Sequence, residues 1–246
     1  LVREVGMGRV IKFARSLGIR SPIAPTMSSA LGASVTTLKE MVSAYTVFAN
    51  NGMYNQSYAI SRVEDSTGQV LARHKPHPIE AISPGVAYVT TQMLKGVVEN
   101  GTGRKALALG RPIAGKTGTT NAFRDNWFIG FSPGLVAGVW VGFDLPRSLG
   151  FSETGGRNSA PIFVDFFREA LKGSPIEDFM PPKGVEFVRI DKETGLRATR
   201  ASQKTAFEVF LEGTAPTQFA GMRGGRADAI FRAEGDKIHT KPNVIR

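Results

Sequence analysis

Apolar residues recur at two different spacings along this chain, and each spacing predicts one kind of element. Intervals of three and four residues, the period of one helix face, predict four helices: residues 10–17, 36–49, a segment that begins at Ser83, and 161–171. Thr37 and Glu40 have capping-box spacing at the start of the second helix, and Ser83 is a cap residue followed by proline. The third helix is expected to bury a face made of Val86, Val89, Met93 and Val97.

Strand-like runs follow the second and the third helix. A hairpin is predicted where residues 58–64 and 69–73 flank a turn that ends at Gly68. Three longer strands are predicted at residues 111–119, 126–131 and 135–143. The turn Ser132-Pro133-Gly134 joins the last two, which are therefore expected to pair antiparallel. Helices before and after an antiparallel sheet predict an α+β fold.

The chain is expected to have three parts. Residues 1–173 form the main domain, and the composition changes at Gly173-Ser174-Pro175. Residues 174–217 are predicted to be a small β-rich appendage, with strand-like runs at 185–190, 196–199 and 207–211. Residues 218–246 are rich in glycine and arginine and have little apolar periodicity, so they are predicted to be a disordered basic tail.

The composition narrows the classes of function. Cysteine is absent from all 246 residues, which excludes disulfides, thiol catalysis and thiolate metal sites. The longest apolar run, residues 134–143, is about half of what a membrane-spanning helix needs. The net charge of +10 would suit nucleic acid, an anionic membrane surface or an acidic wall polymer. The basic residues are scattered and lack interleaved aromatic residues, so nucleic acid is not expected to be a partner.

The segment 115–120 contains the residues best suited to chemistry. On a strand at the edge of a sheet, these residues would grip a small carboxylate beside a carbonyl under attack. Lys116 would supply the positive charge, and Thr117 and Thr119 would supply hydroxyl donors. Gly118 would leave room for the backbone of a ligand. A Lys-Thr-Gly triplet also occurs in ordinary turns, so its surroundings must decide its meaning.

Those surroundings match a known family. Four blocks occur in order: Glu99-Asn100-Gly101-Thr102-Gly103; Ala114-Gly115-Lys116-Thr117-Gly118-Thr119-Thr120-Asn121; Asp125-Asn126-Trp127-Phe128-Ile129-Gly130-Phe131; and Gly138-Val139-Trp140-Val141-Gly142. Over roughly residues 5–171 the chain resembles class A penicillin-binding proteins, the bifunctional enzymes that polymerise and cross-link peptidoglycan. The resemblance implies a serine β-lactamase/transpeptidase-like fold, in which helices flank an antiparallel sheet.

Three motifs make up the active site in this superfamily: Ser-x-x-Lys, Ser-x-Asn and Lys-Thr-Gly. In these 246 residues no serine lies three positions before a lysine or two before an asparagine, so only the third motif is present. The resemblance therefore implies the C-terminal portion of a transpeptidase domain, truncated at its N-terminal side. The serine nucleophile and the glycosyltransferase domain are expected to be absent, and the fragment alone is expected to be inactive.

The resemblance also implies roles for the motif residues. Lys116 would hydrogen-bond the serine of the middle motif and help bind the terminal carboxylate of a D-alanyl-D-alanine stem peptide. Thr117 and Thr119 would donate hydroxyls to that carboxylate, and the Thr119 N–H would be an oxyanion-hole donor. Gly118 and Thr120 complete the predicted substrate-binding set. β-Lactams would acylate the same serine as the stem peptide.

The expected setting follows from the same resemblance. The partners are peptidoglycan stem peptides, β-lactams and the missing N-terminal part of the same protein, and no cofactor or metal is expected. The location is the periplasmic or extracytoplasmic face of the cell membrane, with any membrane anchor on the missing part. His74 and His77 lie in a proline-containing loop without a third ligand nearby, so no metal site is expected there.

Other functions remain open on sequence grounds. A D,D-carboxypeptidase or a β-lactamase would have the same fold, and the carboxypeptidase would differ only in using water as the acceptor. A third alternative is a non-catalytic module that binds wall polymer or anionic lipid through its basic residues. Asp125 is interpreted as ordering the turn before Trp127 through Asx-type bonds, and not as a general base.

Overall fold

The computed structural model describes residues 1–221 of the chain. Its α-helices are α1 (Val2–Val5), α2 (Met7–Ser16), α3 (Leu38–Ala49), α4 (Pro84–Glu99) and α5 (Ser159–Ala170). Its strands are β1 (Met53–Tyr54), β2 (Arg62–Glu64), β3 (Val70–Arg73), β4 (Ile79–Glu80), β5 (Ala114–Thr119), β6 (Asn126–Ser132), β7 (Leu135–Val141), β8 (Val185–Asp191) and β9 (Thr205–Leu211). Short 3₁₀ turns occupy Met27–Leu31, Arg104–Leu109 and Asn121–Phe123.

These elements form two compact units. The first is Leu1–Pro182, and the second begins at Lys183. The boundary between the units therefore lies nine residues after the position 173 that the change in composition indicates. Across residues 1–221 no helix is both long enough and apolar enough to cross a lipid bilayer.

A three-stranded antiparallel sheet lies at the centre of the first unit. Its strand order is β5-β6-β7, so β6 is central and β5 is an edge strand within the described part of the chain. β6 pairs with β7 from Ser132 opposite Leu135 to Asn126 opposite Val141, which confirms the predicted antiparallel pair. Gly134 has a φ of 84° in the tight turn, a conformation that glycine adopts without strain.

One face of this sheet packs against α5. Phe128 of β6 contacts Phe163 of α5 edge-on, with ring centroids 4.8 Å apart, and Phe163 stacks on Phe167 at 4.1 Å. All three rings are fully buried. Gly130 lies beneath them, since a Cβ at that position would meet the Phe163 ring at 2.8 Å. Close packing of this kind supplies much of the apolar burial that stabilises the unit.

The opposite face of the sheet packs against α3. A Cβ on Gly138 of β7 would lie 2.6 Å from Val42 and 2.9 Å from Leu38, both on that helix. Val47 of α3 is fully buried in a second apolar cluster, which also contains Leu17 at the end of α2. Helices thus flank an antiparallel sheet on both faces, as the predicted α+β fold requires.

A single carboxylate fixes the start of α3. The predicted capping box is confirmed: the Glu40 N–H donates to Thr37 Oγ1, and the Thr37 N–H donates to the Glu40 carboxylate. The same carboxylate accepts the backbone N–H groups of Arg20 at 2.8 Å and Ser21 at 2.9 Å, together with the hydroxyls of Ser21 and Thr36. These bonds, with the Ser21 hydroxyl the largest contributor, lower the pKa of Glu40 to about 2.

The buried face predicted for the third helix is wrong at Met93. Ser83 does cap α4, but the buried residues of that helix are Gly85, Ala87, Tyr88, Thr91 and Val98. Met93 is 69% exposed, and the other three predicted residues are only partly buried. The physical reason is the close approach of α4 to α3, at which Thr91 Oγ1 donates to the carbonyl of Phe48.

The second unit is built on a hairpin of β8 and β9, which pair from Val185 opposite Leu211 to Asp191 opposite Thr205. The predicted strand at 196–199 is wrong, because only isolated bridges from Arg197, to Ile190 and to Phe219, form there. Asp191 accepts the N–H groups of Glu193 and Thr194 at 3.0 Å, which folds the turn tightly. The chain then returns as a loop whose Leu196 is 1% exposed.

The predicted disordered tail lies mostly outside the described residues. Its first residues are described and contact Arg197. The Arg197 N–H donates to the Gln218 carbonyl at 3.0 Å, and the Ala220 N–H donates to the Arg197 carbonyl at 2.9 Å. Residues 222–246 of that tail are not among those that the structure describes.

Candidate active site

The backbone of β5 presents hydrogen-bonding groups at the sheet edge. The Thr120 N–H donates to the Asp125 carbonyl at 3.0 Å, so the backbone N–H of Thr120 points towards β6. Antiparallel pairs alternate, which makes Thr119–Asn126 and Thr117–Phe128 non-hydrogen-bonded pairs. The N–H and C=O groups of Thr117 and Thr119 therefore point away from β6, towards the free edge. An extended ligand could pair with them as an additional strand.

Lys116 lies on the exposed half of this edge strand. Its Nζ donates to the Thr117 carbonyl at 2.8 Å, which agrees with a carbonyl that points to the free edge. None of the ion pairs formed within residues 1–221 involves Lys116. Since the ammonium is exposed and has no carboxylate partner there, its charge is available to an anionic ligand.

The two threonines of the strand project from the face opposite to Lys116, because side chains alternate along a strand. Thr117 Oγ1 lies 2.6 Å from Thr102 Oγ1, in the segment after α4. Thr119 Oγ1 accepts the Gly155 N–H at 3.1 Å. A hydroxyl that accepts one hydrogen bond still has its own hydrogen to donate, so Thr119 retains the donor predicted for it.

Two glycines before α5 allow close backbone contacts around these threonines. A Cβ on Gly155 would clash with the carbonyl oxygen of Trp127 and would lie 2.6 Å from that of Gly118. A Cβ on Gly156 would lie 2.6 Å from the carbonyl oxygen of Thr102. Neither glycine is among the residues that the sequence predicts at the site. The available signal is the Thr154-Gly155-Gly156 run directly before a helix, where paired glycines indicate close backbone approach.

Gly118 has a neighbour within the sheet. A Cβ at this position would meet the Cβ of its cross-strand partner Trp127 at 3.1 Å, which is closer than most real contacts of this kind. Packing against Trp127 therefore favours glycine here, independently of any ligand. The predicted reason, room for the backbone of a ligand, stays a prediction beside this structural one.

Thr120 faces a different set of contacts. Its hydroxyl donates to the Asp125 carboxylate at 3.2 Å and accepts the Asp125 N–H at 2.8 Å. The Trp140 indole N–H donates to the same carboxylate at 3.0 Å. Asp125 thus orders the turn, as expected, but through the side chains of Thr120 and Trp140. Because the Thr120 hydroxyl closes this turn, direct substrate binding by Thr120 stays a prediction.

The loops beside the C-terminal end of β5 contain strained backbone. Ala122 and Phe123 have φ values of 58° and 53°, and Ser152 has a φ of 65°, in the left-handed region that non-glycine residues rarely adopt. The Leu149 N–H donates to the Phe123 carbonyl at 2.8 Å and joins the two loops. Such strain persists where surrounding contacts enforce it, and it concentrates near functional sites.

Within residues 1–221 no group of three or more acidic or histidine side chains could hold a metal ion. A family profile described as the penicillin binding protein transpeptidase domain matches residues 19–168, which include β5 and all the residues discussed above. The chain belongs to the penicillin-binding protein transpeptidase family.

Full-length relatives and solved structures are similar to the chain. Penicillin-binding protein 1A of Neisseria lactamica is 41% identical over 192 residues, which is 75% of this chain and 24% of that protein. Penicillin-binding protein 1A of Aquifex aeolicus is 37% identical over 217 residues, which is 88% of this chain and 30% of that protein. The crystal structure of penicillin-binding protein 1A from Haemophilus influenzae has a TM-score of 0.82 at 27% identity, covering 89% of this chain and 38% of that one.

A second solved structure contains a ligand. PonA1 from Mycobacterium tuberculosis in complex with penicillin V has a TM-score of 0.63 at 29% identity, covering 71% of this chain and 52% of that one. A second family profile, the C-terminal domain of penicillin-binding protein 1A, matches residues 181–221 in the second unit. These matches confirm the predicted family and the transpeptidase fold. The chain spans about a quarter to a third of the length of the two curated relatives.

Proposed function

We propose that this chain forms one wall of an acyl-serine D,D-transpeptidase site that cross-links peptidoglycan stem peptides. The observation that carries this proposal is the exposed half of β5, where two hydroxyls and a lysine without an ion pair within residues 1–221 stand on the edge of the sheet. The family membership and the penicillin-binding proteins to which the chain is similar support the same function.

The proposed binding mode uses the edge backbone of β5. The C-terminal part of a stem peptide lies along Thr117–Thr119 as an added strand and hydrogen-bonds their outward N–H and C=O groups. Its terminal carboxylate meets the Lys116 ammonium and the hydroxyls of Thr117 and Thr119. This arrangement places the scissile carbonyl next to the Thr119 N–H, one donor of an oxyanion hole. Loss of one such donor typically costs about 3 kcal/mol of transition-state stabilisation.

The proposed reaction is acyl transfer in two steps. A serine oxygen attacks the carbonyl between the two D-alanines, forms an ester and releases D-alanine, which takes up the serine proton through a base. The amine of a neighbouring stem peptide then attacks the ester, forms the cross-link and frees the serine. Since these 246 residues contain neither Ser-x-x-Lys nor Ser-x-Asn, the serine and its base are supplied by protein outside them.

The proposed setting follows from this reaction. Stem peptides lie outside the cytoplasm, so the site faces the extracytoplasmic side of the membrane. β-Lactams compete for the same serine and present their carboxylate to the same lysine and threonines. Any membrane anchor belongs to the rest of the protein, and nucleic acid is not a partner in the proposed function.

Fluorescent penicillin tests the proposal. The full-length protein that contains this chain should be labelled with one penicillin per molecule, and excess unlabelled penicillin should prevent the labelling. The 246-residue chain alone should remain unlabelled. Failure to label the folded full-length protein would overturn the proposed function. Stoichiometric labelling of the chain alone would show that the nucleophile lies within it, contrary to the proposal.

A further inference from the structure

A buried amide lies directly under the proposed carboxylate-binding residue. Asn126, the first residue of β6, is 0% exposed, and neither its Nδ2 nor its Oδ1 has a hydrogen-bond partner among the described residues. Buried amides are almost always hydrogen-bonded, and leaving one without a partner costs free energy. Such a group calls for a functional explanation.

The sheet register places this amide next to Thr119. Asn126 and Thr119 face each other across β5 and β6, and they form a non-hydrogen-bonded pair, the kind in which side chains are closest. Both side chains project from the same face of the sheet, because directly opposed residues share a face. Thr119 is exposed whereas Asn126 is fully buried, so the amide lies on the inner side of the threonine.

The segment around Gly155 packs next to Thr119 and the start of β6. Its N–H already donates to Thr119 Oγ1 at 3.1 Å, and its backbone is in contact with Trp127, the residue after Asn126. A threonine oxygen can accept two hydrogen bonds and donate one. The Gly155 N–H occupies one lone pair of the Thr119 hydroxyl oxygen. A second donor on the other lone pair would leave the hydroxyl hydrogen only one direction in which to point.

We propose that Asn126 is a positioning residue for Thr119: its amide N–H donates to Thr119 Oγ1 when a carboxylate occupies the site. Gly155 and Asn126 then fill both acceptor positions of the oxygen, so the hydroxyl hydrogen must point to the ligand carboxylate. This inference rests on the proposed function, because it assigns Thr119 a carboxylate to bind. It explains why an amide without a hydrogen-bond partner among the described residues is retained at a buried position of the sheet, although it lowers the stability of the fold.

The test uses the full-length protein and two ligands, penicillin V and its methyl ester, which lacks the carboxylate charge. Asn126→Leu keeps the side-chain volume and removes the amide. It should raise the saturation constant for acylation by penicillin V about tenfold, as expected when the hydrogen bond from Thr119 to the charged carboxylate is lost. Reactivity towards the ester should change less than twofold. The Tm should equal or exceed that of the unsubstituted protein, because an unpaired buried polar group is lost.

A double-mutant cycle shows whether Asn126 acts through Thr119. In a Thr119→Val background, Asn126→Leu should change the saturation constant less than twofold, because the hydroxyl that it orients is gone. Asn126→Ala is the second variant and should show the same ligand dependence if the leucine does not fit. Ser159→Ala is the matched control, because Ser159 is also 0% exposed and its hydroxyl has no partner among the described residues, but it lies on α5; its saturation constant should match that of the unsubstituted protein.

The outcomes separate this inference from the proposed function. Equal losses with penicillin V and its ester, or losses that persist in the Thr119→Val background, would show a merely structural role and overturn the inference. Unchanged acylation by Asn126→Leu, in a series where Lys116→Ala is strongly impaired, would overturn the inference and leave the proposed function standing. Unimpaired Lys116→Ala would remove the proposed carboxylate site and the inference with it.

Discussion

The two halves of β5 differ in burial and in chemistry. Ala114 and Gly115 are buried, and a Cβ on Gly115 would lie 2.9 Å from the Ile129 carbonyl oxygen and 3.0 Å from the Phe128 ring. Lys116 and Thr119 are exposed and have polar side chains. The first half therefore anchors the strand in the core, and the second half presents it to a ligand. Substitutions in the two halves should have different consequences.

The largest expected effect comes from a substitution in the exposed half of β5, which presents polar side chains to a ligand. Lys116→Ala in the full-length protein should slow acylation by penicillin about a hundredfold to a thousandfold, the range found when a charge-stabilising donor is removed from an active site. Its Tm should change little, since Lys116 is exposed, forms no ion pair within residues 1–221 and donates there to the Thr117 carbonyl. The measurement is the second-order acylation rate constant, obtained by stopped-flow fluorescence.

Lys172→Ala is the matched control for that variant. Lys172 is also exposed, and its surface ion pair with Glu169, at 3.9 Å, contributes little. Its acylation rate should match that of the unsubstituted protein. Equal rates for the two lysine variants would contradict the division of β5 into a packing half and a binding half.

The second-largest expected effect is a loss of stability, caused by a substitution in the buried half of β5. Gly115→Ala should lower the free energy of unfolding by about 1–3 kcal/mol, because the new methyl group overpacks against backbone and ring. The acylation rate constant of the folded variant should stay within about twofold of that of the unsubstituted protein, since Gly115 lies outside the polar half of the strand. Denaturant titration and the acylation rate of the folded protein check the two statements.

Gly96→Ala tests whether the loss comes from packing and not from the substitution of glycine as such. Gly96 lies in α4, and a Cβ there meets nothing within 4 Å beyond its own helix. Alanine should therefore raise stability by about 0.5–1 kcal/mol, since glycine is the poorer helix former. A loss in both variants would contradict the packing explanation for Gly115.

The smallest effect concerns the helix on the Lys116 side of the sheet. Glu40→Gln should cost about 1 kcal/mol at pH 7, the usual value of a helix cap, without changing acylation. The pKa of Glu40 is lowered from 4.5 to about 2 in the folded state, so its stabilisation is complete above pH 4.5. This stabilisation is lost as the pH falls towards 2, and the two proteins should converge there.

Thermal unfolding at several pH values measures this convergence. Glu169→Gln is the control, because Glu169 is exposed on α5 and, within residues 1–221, its carboxylate forms a surface ion pair with Lys172. A stability difference between Glu40→Gln and the unsubstituted protein that persisted unchanged down to pH 2 would contradict the role given to the charged carboxylate.

Local signals predicted much of this fold. The capping box of Thr37 and Glu40, the cap at Ser83 and the turn at Gly134 depend on neighbouring residues, and the structure confirms all three. Burial on α4 depends on which neighbour the helix meets. The apolar stripe indicates Met93 as a buried residue, but α3 contacts the face that contains Thr91, and Met93 is 69% exposed. No local pattern contains that information.

The candidate site shows the same limit. Lys116, Thr117 and Thr119 are consecutive or nearly so, and the structure places them together on one exposed half of a strand. Gly155 and Asn126 reach the site from 36 residues after Thr119 and from the neighbouring strand, through the Gly155 hydrogen bond and the sheet register. Their roles follow from tertiary contacts, and spacing along the sequence does not reveal them.

The central claim is that the exposed half of β5 binds the ligand carboxylate. The most direct measurement is a crystal structure of the full-length protein acylated by penicillin. The account predicts the penicillin carboxylate within about 2.7–3.2 Å of the Thr117 or Thr119 hydroxyl, and the acyl oxygen at hydrogen-bond distance from the Thr119 N–H. A carboxylate bound elsewhere, with the Thr117–Thr119 edge covered by another segment of the protein, would contradict the account.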